Sequence, residues 1–443
     1  MAQHLYFARD TKLYIEFDSV VWEIPVLDGF SFSQSTNATE ITLAEMENSA
    51  GVSRRGRRAF NDSLAPAEWS FSTYVRPFIS AGSGAGAADG AAEHHAVEEV
   101  LWALMAGADN YDQSTYDFDR GGNNVITPSS SNSTINFDES NKSTLGTANL
   151  YFVLGSSNRQ AYKISSAVVN EASIDFDIDG IATINWSGFG SEVIDMWGST
   201  KESTAEPNNG DTTNDGSTIA EGDIWLDTNN SYKLAVMTNV APAGTEASTP
   251  VIYEDVTATD NFIRNRLTVA TIKPNSQDPD SDGTNELAPT STGYDLTLTG
   301  GNITVSNNIT YIIPEELGTV NTPFAHVTGT RSVSGNFTCY LQRFDGTDGK
   351  GMNSGDTSTP ADDSANFFED FAAIDNVITN SFAIVFKIGG TSGTPRLEMN
   401  CPTTHVEIPA HSIEDVITVE TNFQALPSTI SETDELDLTY VGA

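Results

Sequence analysis

The sequence predicts a mainly β protein: two tandem related domains, each with one flanking α-helix, and a small β module inserted between them. Three observations predict this. One long stretch of the chain is written twice in the same order, apolar residues alternate along most candidate elements, and a polar Gly-, Asn- and Thr-rich run separates the copies. The expected domains are residues 1–197 and 260–443, with the linker and inserted module at 198–259.

The repeat is clearest around residues 296–344. Thr39–Met46 sets itself beside Thr310–Leu317, and Phe71, Tyr74 and Phe78 fall against Phe337, Tyr340 and Phe344. Upstream, Tyr6–Phe17 has a counterpart in Phe262–Lys273; downstream, each copy carries a helix-like segment, an apolar strand and closing strands. A repeat of about 180 residues is too long for a solenoid unit, so it reads as two whole domains of one fold.

Each element has a local reason. Tyr6–Phe17 and Val20–Val26 alternate as strands around a short Asp18-Ser19 turn, and Phe30–Gln34 and Glu40–Leu43 continue the β pattern. Residues 48–62 break it and read as a loop. Trp69–Val75 places Trp69, Phe71, Thr73 and Val75 on one face and Tyr74 on the other. Glu93–Met105 has Val97, Val100, Leu101 and Leu104 at helical spacing, stopped by Gly107. Residues 108–146 are polar and read as a long loop. Tyr151–Leu154 and Ala161–Val169 are strands, and Ala172–Trp186 a hairpin turning at Asp179-Gly180. Residues 198–218 form a linker, and 222–256 three short strands with an Asn-rich turn. In the second copy the helix falls at Asn366–Ile374 and strands at Phe382–Ile388, Leu397–Asn400 and Val416–Phe423, before an acidic tail, 431–443.

Composition bounds the function. Lys and Arg number 21 against 61 Asp and Glu, a net charge of −40. Binding to nucleic acid or to an anionic membrane depends on basic residues displacing counterions, so neither is expected. Cys339 and Cys401 lie in apolar strand-like runs and read as buried free thiols. The start lacks a basic segment followed by an apolar run, and no window offers a membrane span, so synthesis and retention in the cytoplasm until assembly are expected.

Little chemistry is encoded. Asp175–Gly180 and Asp278–Gly283 resemble calcium loops, but the twelfth positions, where a bidentate Glu is needed, are Trp186 and Pro289. Asp175, Asp177 and Asp179 read as one solvated face of a hairpin; Asp278, Asp280 and Asp282, in a polar loop, are the candidates for weak ion binding. The six histidines form no metal or catalytic motif, and His94-His95 reads as solvated at a helix start. No nucleophile elbow, phosphate loop or paired-cysteine site is present, so neither an enzyme nor a cofactor is expected. Arg54, Arg55, Arg57 and Arg58 stand out in so acidic a chain. Guanidinium forks pair well with carboxylates, which makes them candidates for contact with an acidic face of a neighbouring subunit.

Phe60–Pro77, Val168–Gly190, Ile309–Leu317 and Gly329–Leu341 resemble tail tube (major tail) proteins of long-tailed bacteriophages. The resemblance covers both repeats but not 198–259. It implies a β-sandwich or half-barrel with one flanking helix, whose inner sheet joins its neighbours' sheets into a continuous ring. Six such domains make a ring, and stacked rings make a hollow tube through which the genome leaves the capsid. It implies no catalytic residues. The implied partners are other copies of the chain, other tail proteins (tape measure, baseplate or tip, terminator, in some tails a sheath), and genomic DNA passing without specific binding. The implied location is the virion, after assembly in the host cytoplasm. With two domains per chain, three chains suffice for a pseudo-sixfold ring, although most relatives have a single domain. The alternative class is a secreted or surface acidic β-rich adhesin, or a calcium-dependent binding module.

Overall fold

A computed structural model describes residues 5–41, 58–80, 93–137, 145–253, 261–278, 287, 290, 293–314, 317, 321–343, 363–372, 381–413, 416–430 and 432–442. Among them are 32 strands and two α-helices, and one network of pairings links 22 of the strands. The protein is mainly β.

The first half opens with a 3-10 turn, Ala8–Asp10, then β1 (Lys12–Phe17) and β2 (Val20–Ile24), joined through Asp18 and Ser19 at φ 47° and 65°. The strand therefore starts at Lys12, not at Tyr6, because the chain winds the 3-10 turn first. β3 (Ser31–Ser33), β4 (Thr36–Ile41), β5 (Arg58–Leu64) and β6 (Ala67–Tyr74) follow. Residues 58–62, expected in a loop, are strand because β4 supplies their ladder. Along β6 the predicted face is buried: Trp69, Phe71, Thr73 and then Val75.

β7 (Pro77–Ile79) pairs with β8 (His94–Ala96), and α1 (Glu99–Ala106) begins only after it, ending at Gly107 with φ 95°. The helix predicted from Glu93 thus loses its first turn to a strand, whose backbone groups are taken by β7 and by Ser129. The two histidines are not solvated either: both are buried, and His95 Nδ1 lies 2.7 Å from Glu99 Oε2.

The largest departure is at 108–146. Where composition predicts a loop, the chain forms a meander, β9 (Asn110–Asp112), β10 (Asp117–Arg120), β11 (Asn123–Pro128) and β12 (Asn132–Asn136). Its sparse apolar residues, Tyr111, Phe118, Ile126 and Ile135, are all buried. Its outer partner is supplied from the far end of the sequence, as described below.

β13 (Ala148–Leu154), β14 (Gln160–Asp177), β15 (Thr183–Gly190) and β16 (Glu192–Asp195) complete the half. β1 pairs with β2 and β13, β13 with β14, and β14 with β16 and β15; β15 pairs with β6, and β6 with β3. The last β14–β15 pair is Asp175 with Thr183, so the connection is longer than the predicted two-residue turn; Gly180 sits in it at φ 107°.

Four strands rather than three make the small module: β17 (Thr200–Ser203), taken from the expected linker, β18 (Ile224–Asp227), β19 (Lys233–Asn239) and β20 (Ala247–Ser248). β21 (Val251–Ile252) runs parallel along β2. Ile224, Leu226, Leu234 and Val236 pack on Tyr14, Tyr151 and Val153. This is the face of β1 and β13 turned away from the main core, which takes Leu13 and Ile15 instead.

The second half has a 3-10 turn, Asn265–Leu267, then β22 (Val269–Pro274), β23 (Tyr294–Leu296), β24 (Leu298–Ser306), β25 (Thr310–Ile312), β26 (Ala325–Val327) and β27 (Ser332–Tyr340). After α2 (Ser364–Ala372) come β28 (Phe382–Ile388), β29 (Arg396–Val406), β30 (Ala410–Ile413), β31 (Ile417–Ala425) and β32 (Asp437–Val441). β22 pairs with β23 and β28, β28 with β29, and β29 with β32 and β31; β31 pairs with β30 and β27, and β27 with β24. The tail is not merely an acidic end, since β32 lies between β29 and β12. One of its two ladders comes from a strand some 300 residues upstream.

Cys339 and Cys401 are free and buried, as expected. Burial pushes each thiol up to about 12, with Asp437 adding to the effect at Cys401. Neither thiol should react with iodoacetamide in the native protein at pH 8, and both should react in guanidinium. Rapid native labelling would contradict this packing.

Candidate assembly interface

Seven strands run side by side across the whole molecule in the order β3, β6, β15, β14, β24, β27, β31, with β30 beyond. The two halves meet within this sheet. β14 and β24 pair over seven residues, from Glu171 with Ser306 to Asp177 with Gly300. Ile174 and Ile303, and Phe176 over Gly301, close the apolar side of the joint, and Phe176 reaches Phe386 at 5.7 Å. A second joint, β12 with β32, runs from Asn132 opposite Val441 to Asn136 opposite Asp437.

The alternation of side chains gives this sheet two unlike faces. The inner face carries the core aromatics, Trp69, Phe71, Trp186, Phe337 and Phe423 among them. The outer face is polar across three successive rows, beyond which Phe189 and Val168 form a small apolar cluster with Leu145 and Ile309. One row reads Ser31, Ser70, Ser187, Glu171, Ser306 and Ser332; the next Ser72, Asn185, Ser173, Thr304, Ser334 and Gln424; a third Tyr74, Thr183, Asp175, Asn302, Asn336 and Asn422.

Side chains bond across the strands. Ser72 Oγ donates to Asn185 Oδ1 at 2.6 Å, Asn185 Nδ2 to Asp175 at 3.1 Å, and Asn302 Nδ2 to Ser173 Oγ at 2.8 Å and to Asp175. Glu68, Glu171, Asp175, Asp177 and Glu420 add negative charge, and no Lys or Arg occurs in the strand segments that make this face. A polyanion meets hydroxyls, amides and carboxylates here, with no cation to hold it.

Both ends of the sheet are open among the described residues. β3 pairs only with β6, and β30 only with β31. Near β30 lie large apolar side chains facing solvent: Ile413 is 79% exposed, and Ile408, Val416 and Ile417 are exposed too. Open strand edges with exposed apolar residues are surfaces for another chain.

The residues singled out from the sequence fall elsewhere. Arg54, Arg55 and Arg57 lie outside the described residues, and Arg58 begins β5. Asp280 and Asp282 also lie outside them; Asp278 takes a backbone bond from its N–H to Ser276 Oγ at 3.2 Å. Among the described residues no group of three or more His, Cys, Asp or Glu side chains gathers as a metal site. Asp175, Asp177 and Asp179 are exposed along β14 and its turn, as the alternation predicts. The open edges were not identified from sequence, because an edge is defined by what fails to pair.

No family model matches the chain. It is 28% identical over 418 residues to the tail tube protein pb6 of Escherichia phage T5, spanning 93% of this chain and 69% of that protein. The resemblance to phage tail tube proteins therefore extends over nearly the whole chain. Such coverage takes in part of 198–259 as well as both repeats. This relative is a structural protein, not an enzyme. Among solved structures, the sheath/tube terminator of the PVC extracellular contractile injection system, in its extended state, aligns with 44% of this chain and 98% of its own at 9% identity. Its TM-score is 0.24, at which two chains need not share a fold.

Proposed function

We propose that this chain is the tube subunit of a phage tail, and that its copies join edge to edge into rings that stack around a bore. One observation carries the reading: the β14–β24 joint is an edge-to-edge union of the two halves, and among the described residues the matching outer edges, at β3 and β30, are open.

The equivalence of the units rests on their pairings. β1–β2, β1–β13, β13–β14, β14–β16, β14–β15, β15–β6, β6–β3 and β4–β5 correspond in order to β22–β23, β22–β28, β28–β29, β29–β32, β29–β31, β31–β27, β27–β24 and β25–β26, all antiparallel. Irregularities correspond as well. The ladder slips between Ala148 and Leu150 in one half and between Phe382 and Ile384 in the other. Gly188 faces Trp69 where Phe423 faces Gly335, so the aromatic of the pair has changed strands while the pair has kept its place. A Cβ on Gly188 would meet the Trp69 ring at 2.4 Å.

On this reading the chain is a duplicated tube domain, and three copies supply six units to a ring. β30 of one copy takes the role of β14, and β3 of the next takes that of β24. The polar face lines the bore, and its lack of cations lets DNA slide through without specific binding. The 198–259 module, on the far side of β1 and β13, faces outward. Arg54, Arg55, Arg57 and Arg58 pair with carboxylates of a neighbouring copy, and other tail proteins cap the ends of the tube in the virion.

Electron micrographs of the purified, concentrated protein should show rings or tubes of threefold or pseudo-sixfold symmetry with an open bore. Monomers alone would sink the proposal. The lumen has its own test. Asp177→Lys with Glu420→Lys should leave assembly intact but make the tubes retain DNA at low salt and release it as salt rises. Unchanged DNA retention would place the polar face elsewhere.

A further inference from the structure

The internal joint contains more than paired strands. Ahead of its 3-10 turn, the second half sends Phe262, Ile263 and Arg264 onto the first. The Phe262 ring packs edge-on against Tyr74 at 5.4 Å and under the Arg76 guanidinium at 4.9 Å. Ile263 is fully buried and its carbonyl accepts the Ala182 N–H at 2.9 Å, while Arg264 forms a β-bridge with Ile181.

The matching segment of the first half is Leu5, Tyr6 and Phe7, immediately ahead of the turn Ala8–Asp10. The match has a structural mark. Tyr6 lies against Gly155 as Ile263 lies against Gly389, both glycines at positive φ. In the isolated chain, however, Leu5 is 76% exposed and Phe7 52%.

The matching receiver on the second half is also uncovered. Leu341 N–H donates to Ile417 O at 3.0 Å, as Val75 N–H donates to Ala182 O at 2.9 Å, which sets Ile417 in the place of Ala182 and Val416 in that of Ile181. Ala182 is buried beneath the second half, whereas Ile417 is 39% exposed and Val416 58%. Beside them runs an open groove of about 740 Å³, lined by Leu341, Gln342, Ala365, Phe368 and His411, with the Arg343–Glu369 ion pair at its side.

We infer that Leu5–Phe7 of one copy docks on Val416–Ile417 and the adjoining groove of the next copy. The occupant is a second copy of this chain, because the chain's own joint already shows the same segment seated on the same receiver. Phe7 forms the bridge to Val416, the Tyr6 carbonyl accepts the Ile417 N–H, and Leu5 enters the groove beside Leu341. The N-terminus acts as a clasp across each junction between copies. This rests on the ring reading above and adds a contact to it.

A cross-link tests the clasp. Partners in an antiparallel bridge have Cα atoms about 4.5–5.5 Å apart, within disulfide range. Phe7→Cys with Val416→Cys should therefore give, without reductant, covalent multimers up to the full ring, since the two native thiols are buried. Arg264→Cys with Ile181→Cys is the control and should cross-link within one chain. Rings that form without a Phe7–Val416 cross-link would overturn the clasp and leave the ring reading standing, as would a disulfide closing within a monomer. A double variant, Leu5→Ala with Phe7→Ala, should keep the melting temperature and lower the fraction in rings about tenfold, the effect of about 1.4 kcal/mol; an unchanged fraction also overturns it. If the unmodified chain forms no rings, the clasp falls together with the reading it rests on.

Discussion

Ile413→Asp is expected to leave the isolated chain folded while abolishing its assembly. Ile413 stands at the open end of the sheet, 79% exposed. Its counterpart, counted through the matching register of the two halves, is Phe176, which is buried against Phe386 of the second half. A ring would bury Ile413 in the same way beneath the next copy. A carboxylate there costs nothing in the monomer, yet it is desolvated without a partner at each junction, about 2–5 kcal/mol apiece. Sedimentation velocity should show monomer at concentrations where the unmodified protein assembles, with melting temperatures agreeing within a degree or so. Rings formed by the variant would show that this edge is not the junction.

Trp102→Ala should produce the largest loss of stability. Trp102 is fully buried in α1, packs edge-on against Trp186 at 4.8 Å and donates its indole N–H to the Tyr440 hydroxyl at 2.8 Å. Tyr440 in turn donates to Glu98 at 2.5 Å, and burial, with that carboxylate beside it, holds the phenol well above its usual range. One side chain thus ties the helix of the first half to the last strand of the second. Removing it leaves a cavity and takes the indole donor from the buried Tyr440 oxygen, a loss of about 3–5 kcal/mol against a total stability of order 5–15 kcal/mol. Urea unfolding should show the midpoint falling accordingly, with Trp102→Phe intermediate. A loss below about 1 kcal/mol would mean that the two halves are not coupled through this contact.

These two residues illustrate what could and could not be read in advance. β6 and β28 were legible because alternation is a local signal, as were the α1 stop at Gly107 and the burial of the two cysteines. β32 and the meander β9–β12 were not. The meander is polar, short and rich in Ser, Asn and Asp, and β32 follows an acidic run; each completes its ladder against a strand some 300 residues away. His94 and His95 failed for a related reason: their backbone is claimed by β7 and Ser129, contacts that a helical period does not foresee.

By itself the sequence determined the class of the protein: mainly β, strongly acidic, without a catalytic motif, and similar along its length to a phage tail tube protein. Those properties reside in composition and in patterns that repeat over a few residues. Only the tertiary structure decided which strands are neighbours, which edges stay open among the described residues, and that one face whose strand segments carry no Lys or Arg crosses both halves. Pairing between residues hundreds of positions apart is a property of closed space, and a free edge is visible only once every other strand has found its partner.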